Sequence, residues 1–233
     1  MTESIVVESR FCGVAGMGQG GYLAGLIAGS RTGPYQIDFR NPIPLDVELA
    51  VEPTRRGVHA THADKVIVEG KLGEPVSRVP DFVPLGVASE ARSAAEANSL
   101  EIVSTCFSCG SQPDTLRVHA GPVGDGRFAT PYTPPAWVAP EGVVEPSFVW
   151  APLDCAAGWC LSWDPPRPRA VTGMLTLEVL ADIEPHRDHV IVADSDGPWH
   201  TRTRRAWSAL YTSDGELVAR SESLWVALRQ PVS

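Results

Sequence analysis

The chain has 233 residues, 43% of them hydrophobic and 20% charged, with a formal net charge of −9. Such a composition supports a packed core without disulfide or metal staples. Its acidic balance, with no block of Lys or Arg, argues against a nucleic-acid or anionic-membrane surface, although a local basic patch can still meet an anionic ligand.

Taken in chain order, Ser4–Arg10 reads as a short strand and Gly20–Gly29 as a glycine-rich apolar helix. The whole stretch from Phe11 to Ser30 is uncharged, but its glycines and Gln19 make it a poor membrane span. Extended segments follow near Tyr35–Arg40, Val47–Thr54, Val58–Glu69 and Pro75–Phe82. Ala88–Asn98 is rich in Ala, Glu and Arg without Gly or Pro, and is expected to form a short linker helix. Leu116–Ala120 and Arg127–Tyr132 read as strands, Phe148–Trp163 as a second apolar helix. Strands then follow near Met174–Ile183, His189–Asp194, Thr201–Thr212 and Glu216–Leu228.

The same order of elements therefore occurs twice. Tyr35–Phe39 aligns with Leu175–Val179, Gly73–Arg78 with Gly215–Arg220, and Gly21–Gly25 with Asp154–Gly158. Residues 1–84 and 106–233 are the expected repeats, joined by a linker over 85–105. Both helices are apolar nearly all round and should be buried on every side. Their small residues (Gly25, Ala28 and Gly29; Ala156, Ala157 and Gly158) would let the sheet backbone approach closely.

The chain resembles the hot-dog thioesterase superfamily. Gly20–Gly25, Asp38–Pro44 and Val51–Gly57 are similar to the N-terminal repeat of double hot dogs of the acyl-CoA thioesterase II type. Cys106–Gly110 and Phe148–Asp154 are similar to segments of phenylacetate-pathway-type thioesterases. The resemblance implies an α+β tandem double hot-dog, each half a long helix wrapped by a curved antiparallel sheet, together a pseudo-dimer with a continuous sheet. It also implies an acyl-CoA or similar thioester as substrate, hydrolysed with no cofactor other than the CoA moiety itself. That family's catalytic set would fall on Asp154, on Thr176 with Thr172 close by as the alternative register, and, where the family has a Gln, on Ser223; no Gln stands near that last position. The missing Gln leaves open a non-catalytic acyl- or CoA-binding protein. Gly20, Gly21, Tyr22 and Trp150 are the expected substrate contacts.

By themselves, the residues single out Asp154, which is the one charged residue between Glu145 and Asp164. A carboxylate in so apolar a stretch costs several kcal/mol to bury without compensation. Pro152 favours a helix first turn, which would set Asp154 against the positive end of its own helix. The residue is then either a base that activates water or a cap for backbone N–H groups. First-turn amides would serve as oxyanion donors, with the Gly20-Gly21 start of one half facing Asp154 of the other. Gly21, its counterpart, cannot act as a base, so one site per chain is expected.

Other patterns carry less. Cys106-x-x-Cys109 lacks a second pair at metal-ligand spacing, so no metal is expected, and Cys155 and Cys160 read as inert core thiols. The odd cysteine count and the acidic start, Met1-Thr2-Glu3-Ser4, fit reduced thiols in a cytoplasmic protein without a leader. There is no Gly-x-Ser-x-Gly elbow and no Walker-type loop. Arg202, Arg204 and Arg205 could meet CoA phosphates or lie on a solvated strand face. Exposed sheet edges allow a homo-oligomer.

Overall fold

The computed structural model describes residues 3–14, 16–98, 104–165 and 168–228. In chain order these form β1 (Glu3–Val6), α1 (Gly20–Ala28), β2 (Tyr35–Phe39), β3 (Glu48–Pro53), β4 (Gly57–His62), β5 (Lys65–Leu72) and α2 (Leu85–Ala97). They continue with β6 (Gly121–Gly124), β7 (Arg127–Tyr132), α3 (Ser147–Ser162), β8 (Ala170–Val179), β9 (His189–Ser195), β10 (Thr203–Thr212) and β11 (Leu217–Ala227). Residues 99–103 of the expected linker lie outside the described residues.

All eleven strands join one antiparallel sheet, in the order β1-β3-β4-β5-β2-β8-β11-β10-β9-β7-β6. Outward from the β2–β8 junction, β2-β5-β4-β3-β1 on one side repeats the connectivity of β8-β11-β10-β9-β7 on the other. The aligned segments Tyr35–Phe39 and Leu175–Val179 are hydrogen-bonded neighbours here, with Tyr35 opposite Leu177 and Ile37 opposite Leu175, whereas Gly73–Arg78 follows β5 and does not match Gly215–Arg220, which leads into β11. Leu175, Leu177 and Ile37 are fully or almost fully buried on the sheet face that meets the helices.

Several elements differ from expectation for identifiable reasons. Val58–Glu69 is not one strand but the β4–β5 hairpin, turned by Ala63 and Asp64, both at positive φ. An Ala-Asp pair lacks the glycine that usually announces such a turn. Pro75–Phe82 joins no ladder, and Pro75 and Pro80 have no N–H to give one. It is instead a strap held by side chains of the sheet: the Val76 amide donates to Glu178 at 2.7 Å and the Tyr211 hydroxyl to the Pro80 carbonyl at 2.5 Å. Leu116–Ala120 is not a strand; pairing starts at Gly121.

Helix α1 and helix α3 are buried along almost their whole lengths and pack against each other. The glycines of α1 do permit a close approach, but the partner is α3, not the sheet. A Cβ on Gly21 would stand 2.5 Å from the Trp150 carbonyl oxygen, and one on Gly25 would collide with the backbone of Ser147. These contacts bring the N-terminus of α1 onto the middle of α3.

Pro152 lies inside α3 instead of opening it. Its ring removes the N–H that would bond the Phe148 carbonyl one turn back. The buried Tyr132 hydroxyl donates to that carbonyl at 2.8 Å, so the helix runs on with its orphaned acceptor satisfied.

Candidate active site

Because α3 starts at Ser147, Asp154 is a mid-helix residue and not part of its own helix's first turn. Pro152 had suggested otherwise, because a proline more often opens a helix than sits within it. The positive helix end that Asp154 meets belongs to α1. Asp154 Oδ2 accepts from the Gly21 amide at 3.2 Å and from Gln19 Nε2 at 3.0 Å. Its Oδ1 accepts from Thr172 Oγ1 at 2.7 Å. Burial nevertheless outweighs these bonds and pushes the carboxyl up to about 6.

Gln19 is the residue that sequence reasoning passed over. It caps α1, its Oε1 accepting from the Tyr22 amide at 2.5 Å, while its Nε2 reaches Asp154 and, at 3.5 Å, Cys155 Sγ. One side chain thus closes one helix and orients the carboxylate of the other. Its signal was weak, since Gln is not among the favoured caps. A polar residue immediately before Gly20-Gly21 was the available clue.

Thr172, not Thr176, is the hydroxyl partner of Asp154, and a β-bulge explains the difference. In the β8–β11 ladder Met174 lies opposite Leu224 but Thr172 lies opposite Trp225, which leaves Gly173 as the extra residue. An extra residue inverts the alternation of faces, so Thr172 shares the inner face with Leu175 and Leu177. Thr176 points to the other face, next to Gly73, and its Oγ1 faces Met174 Sδ at 3.4 Å. Ser223 lies opposite Leu175, fully buried, and donates to the Ala206 carbonyl at 3.2 Å. It does not reach Asp154; two residues further on, Trp225 lines the cavity beside Thr172.

A cavity of about 520 Å³ opens at Asp154, with a largely apolar wall that includes Val14, Phe39, Ile43, Trp159 and Trp225. That volume suits a small organic ligand. Gly20 lines it, and its amide, the first of α1, has no hydrogen-bond partner among the described residues. Gly21 acts through its amide on Asp154. Tyr22 and Trp150 do not line the cavity: the Tyr22 ring stacks on Phe11 at 4.0 Å, and Trp150 belongs to the core. Arg40 and Arg169 stand on the cavity wall. Arg205 pairs with Glu222 and Arg204 with Asp196, so those strand-face arginines are already engaged.

Three thiols share the same wall. Cys106, Cys109 and Cys155 bring their Sγ atoms within 4.8 Å of one another, and all three are buried. Cys155, expected to be an inert core thiol, has two thiol neighbours. Hydrogen bonds from the Cys109 and Cys155 thiols hold Cys106 well below the usual thiol range, helped by the backbone amides of Cys109 and Ser108.

No protein-family profile matches the chain, and no curated relative does. Solved structures do. A conserved protein of unknown function with a hot-dog fold from Alicyclobacillus acidocaldarius aligns over 98% of this chain and 93% of its own, at 13% identity and a TM-score of 0.59. The chain has the hot-dog fold. A putative thioesterase II from Thermobifida fusca, 14% identical, aligns over 97% of this chain and 92% of its own with a TM-score of 0.61. A TesB protein of Mycobacterium avium subsp. paratuberculosis, 12% identical, aligns over 92% and 89% with a TM-score of 0.58. These three neighbours match the chain nearly end to end. Among the described residues, no helix of this hot-dog protein is long and apolar enough to cross a membrane.

Proposed function

We infer that the chain hydrolyses a thioester, with Asp154 as the base that orients and deprotonates water. The observation carrying this reading is a buried carboxylate on a ligand-sized cavity, fixed by Thr172, Gln19 and the Gly21 amide. Gln19 and Gly21 occupy Oδ2 and Thr172 takes one acceptor site of Oδ1, which leaves the second Oδ1 site for a water molecule. That water attacks the thioester carbonyl while its proton passes to Asp154. The unpartnered Gly20 amide, at the positive end of α1, donates to the oxygen as it becomes tetrahedral. Collapse breaks the C–S bond, and the Asp154 proton goes to the departing thiolate, giving a carboxylic acid and a thiol.

In this reading, residues 1–84 and 106–233 act as two hot-dog repeats that form a pseudo-dimer. The first supplies Gln19, Gly20 and Gly21 and the second Asp154 and Thr172, so each half is incomplete alone. An acyl-CoA is the proposed substrate, its acyl group against Trp159 and Trp225. Its phosphates would meet Arg169, exposed and without an ion-pair partner among the described residues, whereas Arg40 on the same wall is engaged by Glu69 and Asp38. Gln19, from the other half of the chain, stands in for the Gln missing near Ser223 and removes the main reason for supposing the site inactive.

The test is a thiol-release screen across acyl-CoAs of graded length, run beside Asp154→Asn. We expect turnover by the wild type and a loss of about 100-fold or more in the variant with its fold intact. Equal turnover by Asp154→Asn would reject the site, and tight CoA-ester binding without thiol release would reject hydrolysis.

A further inference from the structure

We propose that Cys106, Cys109 and Cys155 form a binding site for a zinc-type divalent cation on the cavity wall, three sulfurs supplied by the protein and the fourth position by a ligand from the cavity. The proposal goes beyond thioester hydrolysis and does not depend on it.

The geometry is that of a thiolate site. Zinc holds thiolates at about 2.3 Å in a tetrahedron, which sets sulfur atoms roughly 3.8 Å apart. Cys106 and Cys155 Sγ are 3.7 Å apart, and the third sulfur lies within 4.8 Å of both. The first two ligands sit on a tight Cys106-Phe107-Ser108-Cys109-Gly110 turn, closed by the Gly110 amide on the Cys106 carbonyl at 2.6 Å. A Cβ on Gly110 would collide with that carbonyl, so the turn requires glycine. Helix α3 brings the third sulfur from 46 residues further along the chain, a spacing that no short motif reports.

A second observation is the pair of side-chain N–H groups, of Gln19 and Trp159, on the wall beside these sulfurs. Gln19 Nε2 reaches Cys155 Sγ at 3.5 Å, and the Trp159 indole nitrogen lies on the same cavity wall as the three sulfurs. That indole nitrogen is buried and has no conventional hydrogen-bond partner. Three neutral thiols are poor acceptors and would leave these donors largely unsatisfied, whereas metal-bound thiolates accept strongly. Donors of this kind surrounding metal ligands orient them and tune their affinity. Binding releases the protons that the three thiols hold, and the divalent cation offsets two of the three thiolate charges.

The experiment uses the full chain, kept reduced. Metal content of the purified protein is measured, then Co²⁺ is titrated into chelator-treated protein as a spectroscopic probe. We expect one Zn²⁺ per chain, and on adding Co²⁺ a sulfur-to-metal charge-transfer band with intense tetrahedral ligand-field bands. Cys109→Ser and Cys155→Ser should lose these bands, while Cys160→Ser, outside the trio, keeps them. Trp159→Phe should weaken Zn²⁺ affinity by about tenfold or more. Folded, reduced wild type that binds neither ion overturns the site, whether or not the Ser variants fold. Co²⁺ bands that survive in Cys155→Ser overturn it too, as does protein isolated metal-free with two of the three cysteines in a disulfide.

Discussion

Replacing Tyr132 by Phe removes a single buried oxygen, and the structure says what that oxygen does. Its hydroxyl is the donor to the Phe148 carbonyl, which lost its helical partner to Pro152. Tyr132→Phe leaves that carbonyl buried and unpaired, a cost of about 1–3 kcal/mol. In a Pro152→Ala background the residue 152 N–H returns and bonds the same carbonyl, so the second change should cost less than about 1 kcal/mol. The double-mutant cycle therefore predicts a coupling of about 1–2 kcal/mol between positions whose side chains need not touch. Thermal or urea unfolding of the four proteins reads it, each kcal/mol being worth about 2–4 °C in a chain of this size. Equal losses in both backgrounds would refute the capping argument, and with it the account of how α3 passes its proline and carries Asp154 to the tip of α1.

Thr172→Val deprives Asp154 Oδ1 of its donor and should reduce kcat for thiol release by about tenfold or more, whereas Thr176→Val on the opposite sheet face should leave it unchanged. The reverse pattern would place the bulge at Gly173 incorrectly. Gly21→Ala drives a Cβ into the Trp150 carbonyl, so it should cost about 1–3 kcal/mol of stability and also suppress turnover by moving the Gly21 amide off Asp154. A variant as stable and active as wild type would show that α1 and α3 are not in such close contact.

Much of the architecture was legible before any coordinates. Two apolar stretches, charge-free except for Asp154 and each followed by extended segments, marked α1 and α3 with their strands, because a helix apolar on every side must be enclosed. The solitary carboxylate at Asp154 was equally visible, since burying an acid in such a run demands compensation. The hairpin at Ala63-Asp64 and the strap at Pro75–Phe82 were not, as one lacked turn glycine and the other is held by side chains, not by a ladder.

Within the site, the sequence by itself determined that a lone acid on one buried helix would face a glycine start on another. Only the tertiary structure decided which groups compensate that acid. Gln19 is 135 residues from Asp154, Thr172 reaches it through an unpaired Gly173, and Cys155 meets the Cys106-Cys109 turn across the helix packing. Sequence periodicity reports which face a residue takes along one element. A bulge that inverts that face, and a helix crossing that joins residues distant in the chain, are set by packing between elements, where no local pattern records them.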